Sequence, residues 1–119
     1  MNELIGSFYI QKTRSGNLIG EFTNNRNTRV FTESADLIVA VEDLTDFSGN
    51  YVSTWQEENV AIISNLRITV IESLNNRKLQ LIWTDTTERK NILFQGEGFL
   101  AGELLIGHYT VVRNNSSQA

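Results

Sequence analysis

Apolar and polar residues alternate along most of this 119-residue chain. The alternation is clearest in Leu66-Arg67-Ile68-Thr69-Val70 and in Leu79-Gln80-Leu81-Ile82-Trp83, two runs separated by a break at Asn75-Asn76. Residues two apart lie on the same face of a β-strand, so each run predicts a strand with one apolar face. Because an Asn-rich break joins them, the two runs predict a β-hairpin.

Polar and glycine-containing breaks recur at short intervals and divide the chain into eight extended segments. The segments are residues 3–12, 18–23, 28–41, 47–56, 60–72, 78–84, 90–99 and 103–113. Eight short sequential strands joined by tight turns predict an all-β, eight-stranded antiparallel up-and-down barrel. A short helix is an alternative for residues 33–42. We assign residues 1–113 to a single barrel domain and residues 114–119 to a polar, flexible C-terminal tail.

A short motif, glycine two residues before an aromatic residue, occurs in four of the segments. Its copies are Gly6-Ser7-Phe8, Gly20-Glu21-Phe22, Gly49-Asn50-Tyr51 and Gly107-His108-Tyr109. Glycine and ring share one strand face, so each strand presents a gap beside a large side chain. In a small barrel this arrangement lets rings interdigitate while the strands coil.

These triplets carry a resemblance to a known family, together with "GNLIGEFTN" from Gly16 to Asn24 and with Leu81-x-Trp83 followed by Phe94-x-Gly96. The chain resembles the avidin and streptavidin family, to which the lipocalin-like (calycin) barrels are related. The resemblance implies an eight-stranded up-and-down barrel. It implies the scaffold and not the biotin site, because Phe8 stands where the family places a tryptophan and the last strand lacks the family's tryptophan and aspartate.

The stretch from Phe94 to Gly102, "FQGEGFLAG", has the Gly96-x-Gly98-x-x-Ala101 spacing of a dinucleotide-binding fingerprint. That fingerprint requires a strand that turns into a helix, and an acidic residue about 20 positions later. The residues that follow are strand-like, and the chain ends 18 residues after Ala101. We therefore interpret the glycines as positions where a strand bends, and we predict no cofactor.

Composition and charge narrow the function classes. Fourteen acidic and ten basic residues give a net charge of −4, which argues against nucleic acid and anionic membranes as partners. The chain has no cysteine and no apolar run of transmembrane length. Without a signal-peptide pattern at Met1, a cytoplasmic location is predicted. The single histidine, His108, lies on a face with Leu104 and Ile106, which suggests a semi-buried strand residue and no catalytic or metal site.

Aromatic and polar side chains on inward faces form the candidate site. Tyr51, Ser53 and Trp55 share one face of the fourth segment, and the same alternation turns Trp83 and Phe94 inward. The candidate ligand-binding residues are Tyr51, Ser53, Trp55, Trp83 and Phe94. Such walls are typical of small-molecule pockets, but the same residues could fill a core, with Glu57 at the rim. The leading prediction is a non-enzymatic barrel that binds a small apolar or aromatic ligand in its mouth.

The last segment indicates a protein partner. Leu104, Leu105, Ile106, Val111 and Val112 make both of its faces apolar, whereas a strand covered on one side should alternate. The simplest cover for the outer face of residues 103–113 is another subunit, so a homo-oligomer is predicted. Ile63 and Ile71, opposite in parity to the core, point the same way. The alternative function is therefore a structural or interaction protein with a filled barrel.

Overall fold

The structure, a computed structural model, describes residues 4–38, 47–71 and 78–112. The Asn75-Asn76 break and the tail at 114–119 lie outside the described residues. Within that part of the chain, no helix is long and apolar enough to cross a membrane. Each predicted segment overlaps one strand. The strands are β1 (Ile5–Lys12), β2 (Leu18–Asn24), β3 (Phe31–Leu37), β4 (Gly49–Glu57), β5 (Val60–Val70), β6 (Lys78–Thr84), β7 (Ile92–Ala101) and β8 (Leu104–Val111).

The strands form a closed barrel in sequential order, with every strand antiparallel to its neighbours and β8 paired with β1. This confirms the predicted all-β up-and-down barrel. The alternation of side chains produces it: in β4 the buried Tyr51, Ser53 and Trp55 face the lumen, whereas Val52 and Thr54 face outward. The helix alternative is wrong over residues 33–37, which belong to β3; residues 39–42 lie outside the described residues.

Two of the glycine–aromatic triplets interlock where β1 and β8 close the barrel. Gly6 lies opposite Tyr109, and Phe8 lies opposite Gly107. A Cβ atom at Gly6 would overlap the Tyr109 ring, and one at Gly107 would lie 2.8 Å from Phe8 Cζ. Each glycine therefore leaves the space that the ring on the other strand occupies, which explains why the two triplets have the same spacing.

The glycines of the fingerprint-like stretch lie in an extended strand. Gly96 and Gly98 are buried in β7, opposite Tyr109 and Gly107 of β8. The chain then turns at Gly102-Glu103 and returns as β8, so the stretch leads into an antiparallel strand and not into a helix. The interpretation of these glycines as strand positions is confirmed.

The lumen differs between its two ends. At the end near the β1–β2 and β7–β8 turns it is filled by side chains that are no more than 2% exposed, namely Leu18, Ile68, Leu79, Leu81 and Leu105. At the other end, near the β4–β5 turn, aromatic side chains surround an open space. The filled core and the pocket, which the sequence leaves as alternatives, are therefore both present at opposite ends.

The predicted environment of His108 is wrong. This residue is exposed on the outer face of β8, opposite Ser7 of β1 and Glu97 of β7. The apolar side chains that share its face, such as Ile106, stand on the outside of the barrel and do not enclose it. His108 is therefore a surface residue, and the apolar character of its face concerns the outer surface of the molecule.

Candidate functional site

The candidate site is a funnel at the end of the barrel near the β4–β5 turn. The funnel holds a cavity of about 30 Å³, and the space including its solvent-open mouth is about 400 Å³. Six of the ten lining residues are aromatic: Phe8, Phe22, Trp55, Trp83, Phe94 and Tyr109. The others are Leu4, Asn24, Glu33 and Glu57. Strands β2, β4, β6 and β8 meet the funnel near their ends, whereas β1, β3 and β7 meet it in their first halves.

The rings of the funnel hold one another in place. Phe22 packs edge-to-face on Trp55 and on Tyr109, with centroids 6.2 and 6.0 Å apart. Phe94 stands at the centre of the group, with its centroid 6.0 Å from Trp55, 6.5 Å from Trp83 and 5.7 Å from Tyr109. Edge-to-face pairs contribute about 0.5–1.5 kcal/mol each beyond area burial. The aromatic wall of the funnel is therefore held in place by contacts among its own rings.

A carboxyl group, Glu33 of β3, lies at the inner end of the funnel. The residue is only 7% exposed. Its Oε2 accepts a hydrogen bond from Ser53 Oγ and another from Trp83 Nε1 at 2.8 Å. No described residue donates to Oε1. Because both donors fall on Oε2, Oε1 is the oxygen that is free to carry a proton or to meet a ligand.

Burial controls the ionisation of this carboxyl group. Desolvation raises the pKa of Glu33 above its ordinary value of 4.5, and the hydrogen bonds from Ser53 and Trp83 oppose that rise. Burial likewise raises the pKa of Tyr109, whose hydroxyl accepts a hydrogen bond from Asn24 Nδ2 at 3.3 Å. The inner funnel therefore favours a neutral carboxyl group while it is empty.

The rim of the funnel carries a second carboxylate. Glu57 Oε1 accepts a hydrogen bond from Trp55 Nε1 at 3.1 Å, which fixes the indole at the mouth. Among the described residues that line the funnel, none is a lysine or an arginine. The ionisable side chains that line the funnel, among the described residues, are therefore all acidic.

Three of the five predicted site residues meet at the funnel, namely Trp55, Trp83 and Phe94. The other two lie deeper. Tyr51 is fully buried and donates its hydroxyl hydrogen to the Phe47 carbonyl oxygen at 2.8 Å. Ser53 is also fully buried and bonds to Glu33. Neither lines the funnel, so Ser53 acts on the site through Glu33 and Tyr51 supports the packing beneath it.

Glu33, the polar centre of the site, is not among the site residues predicted from the sequence. One usable signal was the alternation Glu33-Ser34-Ala35 in β3, which turns Glu33 and Ala35 to the same face. The pairing of Glu33 with Trp55 across β3 and β4 depends on the register of the two strands, which alternation does not give. Phe8, Phe22 and Tyr109 were recognised as inward rings of the triplets but not as parts of the funnel.

Comparison of the chain with protein-family models, with curated proteins and with solved structures found no match. The eight-stranded antiparallel barrel is compatible with a calycin-like scaffold. The scaffold resemblance to the avidin and streptavidin family stays a prediction.

Proposed function

We propose that this protein is a non-enzymatic binding protein that holds a small apolar or aromatic molecule in the funnel. The observation that carries the proposal is the wall of six aromatic rings around a space that opens to solvent. Ligand pockets in proteins are mostly apolar walls with a few oriented polar groups. The funnel has that composition, with Glu33 at its inner end and Glu57 at its rim.

Binding, in this proposal, comes from burial of ligand surface against rings that are already in place. Each Å² of apolar area removed from water contributes about 25 cal/mol, and the packed rings need no reorganisation. Catalysis is disfavoured by the position of Ser53, whose hydroxyl group is paired with Glu33 but fully buried beneath the funnel. A ligand in the funnel would contact the carboxyl group and not the hydroxyl. The cytoplasmic location stays a prediction of the sequence.

Intrinsic fluorescence tests the proposal directly. The chain has two tryptophans, Trp55 and Trp83, and both line the funnel, so a ligand that enters it changes the emission. With benzyl alcohol as the probe, we expect a saturable change that Phe94→Ala weakens at least tenfold. The matched control is Phe99→Ala, because Phe99 lies in the same strand but is 51% exposed on the outer face. No saturable change, or equal loss in both variants, would contradict the proposal.

A second candidate function is supported by the outer face of the barrel. Tyr9 of β1 and Phe99 of β7 both pair with Ile106 of β8, so the three side chains form a continuous outer patch across three strands. This patch supports the alternative that the protein acts as a structural or interaction protein through self-association. The oligomeric state of variants in this patch tests this alternative.

A further inference from the structure

The unbonded oxygen of Glu33 indicates what kind of group the funnel receives. Oε2 accepts two hydrogen bonds, from Ser53 and Trp83, whereas no described residue donates to Oε1. When the carboxyl group is ionised, Oε1 is an acceptor that is available to a hydrogen-bond donor of a ligand. The ionised form of Glu33 therefore favours a ligand that donates a hydrogen bond.

The charged and aromatic side chains around Glu33 indicate whether the ligand's donor group is cationic, neutral or anionic. The funnel combines two carboxyl groups, Glu33 and Glu57, with six aromatic rings, and none of its described lining residues is a lysine or an arginine. Cations are attracted by ring faces, and most strongly by tryptophan. An anionic group at the same place would meet two carboxyl groups and no lysine or arginine among the described lining residues. A positively charged donor fits, and an anionic ligand does not.

The volume of the funnel cavity restricts the size of the ligand's charged group. A water molecule needs about 10–15 Å³ of such a volume, so the cavity of about 30 Å³ holds a group the size of two or three waters. A primary ammonium group is of that size, whereas a quaternary ammonium group carries four carbon substituents around its nitrogen. The hydrocarbon part of the ligand would remain in the wider mouth, against the rings.

We propose that the ligand of the funnel is a small primary amine in its ammonium form, which donates to Glu33 Oε1 and packs its hydrocarbon part against Trp55, Trp83 and Phe94. This inference rests on the proposed binding function and adds the ligand class to it. The positive charge favours the ionised carboxylate, so binding at a pH where the empty site is protonated releases the Glu33 proton to solvent. The other titratable groups that line the funnel, among the described residues, are Glu57 and Tyr109.

Benzylamine and benzyl alcohol form a matched pair of probes, since they have the same ring and differ in the charged group. Titrated by tryptophan fluorescence at pH 7, benzylamine is expected to bind at least tenfold more tightly than benzyl alcohol. Glu33→Gln keeps the size of the side chain and an oxygen that accepts from Ser53 and Trp83, and is expected to reduce the ratio to about one. Glu97→Gln, an exposed change on the outer face of β7, should leave the ratio unchanged.

The outcomes separate the two proposals. If both probes bind equally to the unaltered protein, or if Glu33→Gln preserves the ratio, the binding function stands and the amine inference is overturned. If neither probe binds, both are overturned. Benzyltrimethylammonium gives a test that needs no variant: it keeps the ring of benzylamine but has a quaternary nitrogen, so it should bind at least tenfold more weakly than benzylamine. Equal affinity would contradict the role of the narrow cavity.

Discussion

The buried carboxyl group of Glu33 links the site to the stability of the fold. Burial raises its pKa in the folded protein above the ordinary value of 4.5, so between these two values the folded state keeps a proton that the unfolded state has lost. The free energy of unfolding should therefore fall as pH rises from about 4.5 through the raised pKa. For one proton the slope is at most about 1.4 kcal/mol per pH unit.

Urea unfolding between pH 4.5 and 9 measures this slope. Glu33→Gln removes the titrating group but keeps an acceptor for Ser53 and Trp83, so its profile should lack the decline. Glu88→Gln, an exposed change in the β6–β7 loop, should keep it. A Glu33→Gln profile parallel to that of the unaltered protein would show that Glu33 is ionised at little cost in the folded state.

Gly107 lies so close to its neighbours that a larger side chain at this position should destabilise the protein. An added Cβ atom would lie 2.7 Å from Gly98 Cα and 2.8 Å from Phe8 Cζ, and the backbone atom cannot rotate away. Gly107→Ala should therefore destabilise the protein by about 1–3 kcal/mol, the usual cost of overpacking. The adjacent change His108→Ala is exposed and should stay within about 0.5 kcal/mol. Chemical denaturation compares the two, and equal effects would contradict the close packing of Gly107 against the β7 backbone and Phe8.

Individual residues also show how far the sequence could predict the site. Alternation placed Trp55 and Trp83 in the lumen correctly, because it fixes which face of a strand a side chain occupies. It does not fix how far along the barrel axis the residue lies. Tyr51, only four residues from Trp55, is beneath the funnel, and Glu33 meets Trp83 only through packing across the closed lumen. The depth of a residue along the barrel axis and its contacts across the lumen depend on how the barrel closes. The sequence of a single segment does not determine that closure.

At the scale of elements, the β4–β5 hairpin contains a turn that its sequence does not favour. Glu58 and Asn59 form a two-residue connection, and both have positive φ, 47° and 71°. Such turns prefer Asn or Asp followed by Gly, because the left-handed backbone conformation is energetically unfavourable for other residues. Glu58→Asn should therefore stabilise the protein by about 0.5–1 kcal/mol.

Thermal or urea unfolding of Glu58→Asn and Glu58→Gln separates conformation from charge. Both variants remove the same negative charge next to Glu57, but only asparagine tolerates positive φ well. The asparagine variant should be the more stable of the two. Equal gains would assign the effect to charge repulsion and would contradict a strained turn.

The strands themselves were predictable because the two-residue period extends through every segment. The strand boundaries differ from the predicted ones where residues next to a turn continue the strand pairing. Strand β7 extends to Ala101, two residues past the predicted end, because Ala101 still pairs with Leu104. Residues 28–30 were assigned to a strand but precede β3, which begins at Phe31. Turn geometry, which depends on side-chain hydrogen bonds such as that from Thr23 Oγ1 to the Arg29 carbonyl oxygen, does not follow from alternation.

At the scale of the whole molecule, the outer face of β8 and its neighbours bears on self-association. The predicted contributors Ile63 and Ile71 belong to another surface, since β5 is separated from β8 by β6 and β7. The outer patch consists instead of Tyr9, Phe99 and Ile106. Three adjacent strands of about eight residues span roughly 15 Å by 25 Å. Two such faces bury about 800 Å² in total, which is below the range of specific, stable interfaces and is in the range of weak, transient contacts.

An interface of that size predicts a weak, concentration-dependent homodimer. The net charge of −4 on each subunit opposes association, so added salt should increase the dimer fraction by screening the repulsion. Sedimentation velocity at micromolar concentrations measures this fraction. Phe99→Ser should reduce it at least tenfold in equilibrium constant, whereas Ile63→Ser, at a side chain that is 54% exposed on β5, should not. An equal loss in both variants would place the interface elsewhere on the barrel, and a monomer at every concentration and salt would leave the funnel as the sole basis for function.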